Sequence, residues 1–561
     1  MKKKYILALL LVFSTSIIFP QDRYKKQELS VLAKTWGFLK YYHPGIASGR
    51  HNWDSILVTS IDNIIVSKKK NQVAIELARL FEIAGANTAA ANIDRGVPPI
   101  ATRNYDISWI GKDKLLSQQQ KQALRYTANH PYHGVNYYAQ ADPGNDSTVF
   151  TPNENPYRDM LFPNVNFRLL GLFRFWNVIN YFYPYKYAIG EHWDLVLTRM
   201  IPLMMDVTDT ISYHKALAQM SASINDSHGS LWPSVFGSLT GKYSPPFNFA
   251  LIDGKAVVTK IADSVLCKQA KIQSGCVITS INKMSVKRRI RENLDYVPAS
   301  NYGGKLKTMH LFILNTRDPQ ATYSGTDPDG KSFTTTIQQV QRNFIKEYPE
   351  FFEMTSPVTT KIIGGNIGYM YLANINAQNL DSVMNSVLHT QAIIIDIRNY
   401  PNDGYVIYKL PEYFLSHPEI YARNTHPDYS LPGRFKYKIA NNETNYSMVG
   451  KVNTNPYQGK IILLVDHRTQ SAAEWACMAL LTADRTIVIG NQTAGADGNV
   501  TRTKLPGNYN INFSGLGIYF PDGTETQRRG IPIDIKVKYT LQDIIHKNDP
   551  VLNKAIEIAR Q

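Results

Sequence analysis

Residues 459–498, GKIILLVDHRTQSAAEWACMALLTADRTIVIGNQTAGADG, constrain the fold of this chain more than any other stretch. Residues 461–465 form a continuous apolar, β-branched run, the pattern of a strand buried on both faces. A polar turn, 466–470, follows, and Ser471 then opens AAEWACMALL, a run of helix formers with an apolar stripe. Residues 486–489 read as a second buried strand, closed by Gly490. Ser471 therefore lies at the turn-to-helix step of a strand–helix–strand unit. A helix start carries unpaired N–H groups and partial positive charge, so a serine hydroxyl there sits beside a ready anion site. The plainer role for Ser471 is an N-cap, with Glu474 completing a capping box.

The first residues, MKKKYILALLLVFSTSIIFPQ, combine a basic start with an apolar run at 5–18. This is the pattern of a secretory signal cleaved near Pro20 or Gln21, so residues 1–21 are expected to be removed and the chain exported to a periplasm or beyond the cell. No later run is apolar enough for a membrane span. The formal charge of +16 is spread along the chain without a basic block, which reads as surface character and not as nucleic-acid binding. Three cysteines do not make a disulfide scaffold, although Cys267 and Cys276 are candidates to pair. Neither HExxH nor paired CxxC occurs, and neither a metal nor a cofactor is expected.

An internal repeat follows the leader. LSVLAKTWGFLKYYHPGIASGRHNWD at 29–54 matches LLGLFRFWNVINYFYPYKYAIGEHWD at 169–194. Trp36 matches Trp176, Tyr41 matches Tyr181, and Trp53-Asp54 matches Trp193-Asp194, all at an offset of 140. The apolar spacing is helical, and the aromatic positions read as packing residues. At the same offset Ala86-Asn87-Thr88 falls opposite Asp226-Ser227-His228. A histidine carried by one copy only is an asymmetry that packing does not require, which makes His228 a candidate for chemistry.

These patterns give a multidomain α/β chain. Residues 22–165 form a helical domain, the first repeat copy plus a connector, and 166–244 the second copy with His228. Residues 245–345 form a small β-rich unit with a TDPDG hairpin, and 346–561 an α/β region with a largely parallel sheet. Active residues of such a sheet gather at the C-terminal ends of its strands, and the polar segments after Ile397, Val465, Ile489 and Phe520 are placed there.

Taken together, residues 165–540 resemble the serine peptidases that include the C-terminal processing (tail-specific) peptidases and the tricorn core protease. A histidine segment comes first (Ser227-His228), then a PDZ-like module (GKAVVTKI, SGCVITSIN), then an α/β core with S-x-x-E at Ser471 to Glu474. IIIDIRNYPNDG is similar to the family's D-L-R-x-N-x-G-G segment, and PDG…QRRGIPIDI to its closing motif. The resemblance implies an exported serine peptidase with Ser471 as nucleophile and His228 as general base. It implies Ser227 and Gln527 as residues orienting the histidine, and the N–H groups of Ala472 and of the loop near Asn402 as oxyanion donors. Glu474 and Glu525 are possible supporting residues. The substrate would be a peptide or protein, held in part by the PDZ-like module. The lysine of the tail-specific branch is replaced by Ala496, and the acid of the closing motif by Gln527. Those departures favour the alternative, a catalytically weak or inactive peptidase-like protein that binds peptides or a small apolar ligand.

Overall fold

The computed structural model describes residues 24–91, 102–232, 234–341, 358–437 and 446–561. The expected leader and the expected boundary at 345/346 lie outside them. Each repeat copy folds as three helices: α1 (Lys26–Tyr42), α2 (Trp53–Val66) and α3 (Gln72–Ala84), then α4 (Val165–Phe182), α5 (Trp193–Met205) and α6 (Thr210–Ala222). The tryptophan spacing has a local cause. In the first copy Trp36 Nε1 donates to the Trp53 carbonyl and Trp53 Nε1 to the Trp36 carbonyl, both at 3.0 Å. Trp176 and Trp193 repeat the exchange at 2.9 and 3.0 Å. Each buried indole thus finds an acceptor, which an apolar core would otherwise deny it.

The two copies pack through α1 and α4. A Cβ at Gly37 would lie 1.9 Å from Asn177 Oδ1, so only glycine leaves room for the amide that reaches the Ala33 carbonyl at 3.0 Å. Beneath this contact lies a buried ionic cluster. Lys40 pairs with Glu154, and Arg174 pairs with Glu154 at 2.7 Å and with Asp54.

Strand β1 (Ser230–Trp232) leaves the second copy. The β-rich unit contains β2 (Phe247–Ile252), β3 (Lys255–Ile261), β4 (Val277–Ile281), helices α7 (Val286–Asn293) and α8 (Tyr302–His310), and the hairpin β5 (Gln320–Thr326) and β6 (Ser332–Gln338). Its sheet runs β6-β5-β4-β3-β2, antiparallel, with Met284–Ser285 paired to β4. Cys267 and Cys276 are buried there as free thiols, as is Cys477 in the core.

The α/β core sheet runs β7 (Thr360–Ile363), β8 (Ile367–Tyr371), β9 (Ala392–Asp396), β11 (Lys460–Val465), β12 (Thr486–Gly490) and β16 (Ile535–Lys536). Every pairing from β8 onward is parallel, and β7 joins antiparallel. The central strands are apolar through residues 393–395, 461–465 and 487–489 because both faces are covered. Ile393, Ile395 and Leu463 face helices α9 (Leu380–Val387), α10 (Gly404–Lys409) and α11 (Ala472–Leu480). Ile394, Ile462 and Leu464 face the C-terminal helix α12 (Pro550–Arg560).

The tail departs from the sequence reading. Strand β14 (Tyr509–Ser514) lies between β13 (Val500–Leu505) and β1 in an antiparallel sheet, and β15 (Gly517–Tyr519) pairs with β10 (Glu419–Pro427). Phe520 therefore does not follow a strand of the parallel sheet. The reason is visible in YNINF, where apolar and polar residues alternate: such a strand keeps one wet face and suits an antiparallel partner.

Candidate active site

Strand β11 ends in a turn fixed to its neighbour. Thr469 Oγ1 donates to the Ile397 carbonyl at 2.9 Å, and Asp466 accepts from Arg468 at 2.7 Å. Ser471 follows with φ 57° and ψ −124°, a left-handed conformation that a non-glycine residue adopts only when its surroundings impose it, at about 1–3 kcal/mol. Its N–H donates to the Ala496 carbonyl at 2.9 Å. Its side chain makes no capping bond. The Ala472 N–H finds no backbone acceptor among the described residues.

Glu474 does not close a capping box with the serine hydroxyl. It is fully buried, and its carboxylate accepts the Gly495 N–H at 2.8 Å, the Ala496 N–H at 3.0 Å and the Thr493 hydroxyl. Gly495 has φ +64°, and a Cβ there would meet the backbone of Arg528 at 2.9 Å. Burial pushes the Glu474 carboxyl up to about 7 against the pull of these donors. The result is a clamp: Glu474 holds the 493–496 loop, and that loop holds the backbone of Ser471.

His228 is 9% exposed. It lies between the end of α6 and β1, and the β1–β14 pairing, with Ser230 opposite Asn512, brings Ser514 across from it. His228 Nδ1 is 2.9 Å from Ser514 Oγ. Ser514 Oγ donates to Asp226 Oδ1 at 3.0 Å and its N–H to Oδ2 at 2.6 Å, while the His228 N–H donates to Oδ1 at 3.0 Å. Burial lowers the His228 pKa below the ordinary histidine value; the Lys307 charge adds to this and Asp226 opposes it.

Of the two residues expected to orient the histidine, neither is among the ring's hydrogen-bond partners in the described residues. Ser227 Oγ donates to the Ala494 carbonyl at 2.8 Å and accepts the Ser300 N–H at 2.9 Å. Gln527 Nε2 reaches the Tyr183 hydroxyl at 3.1 Å and Ser300 Oγ at 3.4 Å, and its Oε1 is buried without a partner. The physical reason is the strand register, which gives the Nδ1 side of the ring to Ser514. Glu525 pairs with Arg103 at 3.7 Å and Arg529 at 3.4 Å. Asn402 Nδ2 donates to the Ala373 carbonyl at 2.6 Å, tying down the loop that follows β9.

Gln470 connects the two halves of the site. Its Nε2 donates to the Ser227 carbonyl at 3.1 Å, and its Oε1 accepts from Lys307 Nζ at 3.0 Å. Lys307 sits on α8, and Asn301 before that helix donates to the Thr493 carbonyl at 2.8 Å. The β-rich unit is thus built into the site. Sequence reading missed Asp226, Ser514 and Lys307. Asp226 lay in the INDSHGSL segment already singled out, and Ser514 ends the alternating YNINFS strand; Lys307 had no local signal. Among the described residues no group of His, Cys, Asp and Glu is placed to hold a metal ion.

A serine forced into left-handed backbone at a helix start, above the ends of parallel strands, belongs to the serine hydrolases in class. The family match is narrower: residues 366–537 match the model of peptidase family S41, which supports a serine peptidase. The match includes Ser471 and Ser514 and begins after His228. No curated protein matches the chain significantly. Mature CPAF complexed with lactacystin is similar in structure at 12% identity and a TM-score of 0.54, over 70% of this chain and 98% of that one. A putative peptidase from Parabacteroides merdae overlaps at 15% identity and a TM-score of 0.43, over 71% and 97% of the two chains. The photosystem II D1 C-terminal processing protease overlaps at 15% identity and a TM-score of 0.37, over 68% and 96%. At these identities the first likeness is one of fold, and the other two are weaker overlaps.

Proposed function

We propose that the chain is an exported peptidase that hydrolyses peptide bonds with Ser471 as nucleophile and His228 as general base. The observation that carries this reading is Ser471 itself: its backbone is strained, and its hydroxyl is not spent on capping the helix it opens. Serine needs a base to become a useful nucleophile. His228 supplies one from Nε2, and its lowered pKa keeps the ring neutral at neutral pH. Attack by Ser471 Oγ on the scissile carbonyl places the oxyanion at the Ala472 N–H, with a second donor from the loop around Asn402. His228 then hands its proton to the leaving amine, and water resolves the acyl-enzyme.

Substrate is a peptide segment in extended form. The sheet of the β-rich unit ends in β2 on one side and β6 on the other, and an added strand on such an edge is the PDZ-like mode of capture. Export follows from the basic and apolar start of the sequence.

The test is active-site titration of residues 22–561 with a fluorophosphonate, mapped by mass spectrometry, beside Ser471→Ala and His228→Ala. Labelling on Ser471 that is lost in both variants is expected. A folded wild-type protein that does not label would overturn the reading. A peptide-binding role on a peptidase scaffold, which the uncharged Gln527 favours, would then take its place.

A further inference from the structure

We infer that Asp226 and Ser514 are positioning residues that fix His228 as a base, doing so from the β1–β14 sheet and not from the closing segment that carries Gln527. The inference rests on the Ser471–His228 reading, and the argument is one of proton counting. Asp226 is fully buried, and its two oxygens receive the His228 N–H, the Ser514 N–H and the Ser514 hydroxyl. An ionised carboxylate only accepts hydrogen bonds. The single hydroxyl proton of Ser514 is therefore committed to Asp226 at 3.0 Å. The remaining bond, 2.9 Å between Ser514 Oγ and His228 Nδ1, needs a proton from the ring. Nδ1 carries it, and Nε2 is left with its lone pair. This is the tautomer a general base requires, and the hydrogen bond at one ring nitrogen sets the state of the other.

The same relay acts when the ring accepts a proton. The imidazolium charge then lies one hydroxyl away from the Asp226 carboxylate, which stabilises it without taking the proton. Two charged groups face the ring: Asp226 raises its proton affinity, and Lys307, from α8, lowers it. Gln527 contributes no charge and bonds Tyr183 and Ser300 instead. Backbone register holds the relay in place, because Ser514 pairs with Val500 of β13 and Asp226 also anchors the His228 N–H.

Two measurements on residues 22–561 test this. Long-range proton–nitrogen NMR of protein labelled with 15N-histidine, with His228 assigned through His228→Gln, reads the tautomer directly. At pH 7.5 the wild type should show a protonated Nδ1 and a bare Nε2, and Ser514→Ala should show the two tautomers mixed. In the second, kcat for a peptide substrate should fall roughly 10- to 100-fold in Ser514→Ala with KM little changed, the scale on which loss of an imidazole's outer partner acts. Ser514→Thr, which restores the hydroxyl, should recover most of it. Asp226→Asn should move the acid limb of kcat/KM to lower pH, because the charge that favours the imidazolium is gone. A His228 that keeps its proton on Nε2 in the wild type overturns the relay. So does Ser514→Ala with wild-type tautomer, kcat and pH profile. Absence of fluorophosphonate labelling in the wild type would refute the Ser–His chemistry, and the NMR arm would still decide the relay.

Discussion

Glu474 is the residue whose replacement separates a clamp from an ordinary capping side chain. Its carboxylate takes three donors, the Gly495 and Ala496 N–H groups and the Thr493 hydroxyl, at full burial. In Glu474→Gln one oxygen remains to serve Gly495 and Thr493, and the amide nitrogen must face the Ala496 N–H. One buried donor is stranded, at about 1–3 kcal/mol. Glu474→Ala strands all three, at roughly 3–9 kcal/mol. The wild type carries an opposing term. Its folded-state pKa is raised to about 7 from an ordinary 4.5. A raised pKa stabilises the fold fully below the unfolded value, and that contribution is lost as pH rises through 7. The difference between pH 4.5 and pH 8 is at most on the order of 3 kcal/mol. Urea unfolding of wild type and Glu474→Gln at both ends of this window should therefore show wild type losing stability relative to the variant as pH rises. Because the Ala496 carbonyl accepts the Ser471 N–H at 2.9 Å, both variants should also label more slowly with a fluorophosphonate. If Glu474→Ala stayed within about 0.5 kcal/mol of wild type, the range of an ordinary surface substitution, and labelled at the same rate, the clamp argument would be refuted.

Other consequences follow from single contacts. Lys307→Met removes a charge that lowers the His228 pKa, so the acid limb of kcat/KM should move to higher pH; a limb that stays fixed or moves down contradicts the electrostatic account. Arg174→Met leaves Glu154 and Asp54 buried without their shared cation, and should cost about 3–5 kcal/mol in urea unfolding. Trp53→Phe and Trp193→Phe each delete an indole bond to a carbonyl that its helix already engages, at about 0.5–1.5 kcal/mol for the bond. The two costs should agree if the repeat copies are equivalent, and a difference above about 1 kcal/mol would count against that.

The parts of this protein that were legible in its sequence are those where one periodicity settles the environment. IILLV could only be a strand covered on both faces, and the placement of Ser471 after it followed. The Trp spacing repeated at a fixed offset, and the reason is now seen to be a pair of indole-to-carbonyl bonds within each copy. What was not legible depends on pairing between distant segments. Ser514 meets His228 because β14 chooses β1 as its partner, a choice made across nearly three hundred residues. Alternation in YNINF shows that such a strand has one wet face, but not which neighbour it takes. Lys307 was invisible for the same reason, since its contact with Gln470 exists only once α8 has docked.

The two copies of the duplicated helices differ in what their exits contact. In the first copy the chain leaving α3 reaches Asn87, whose side chain closes on the Thr127 hydroxyl at 3.2 Å and the His130 carbonyl at 2.9 Å. Those partners belong to the connector, so the exit ties its own domain together. At the matching exit of the second copy stand Asp226, Ser227 and His228, and beyond the local bonds of the His228 and Gly229 N–H groups to Asp226 they reach partners from distant parts of the chain. Asp226 takes Ser514, Ser227 takes Ser300 and Ala494, and its carbonyl takes Gln470. The same helical turn that ends a structural unit in one copy meets the β-rich unit, the β14 sheet and the Ser471 turn in the other. If His228 is the base proposed for Ser471, no single domain assembles the site alone, and docking of all three is a condition for an active serine.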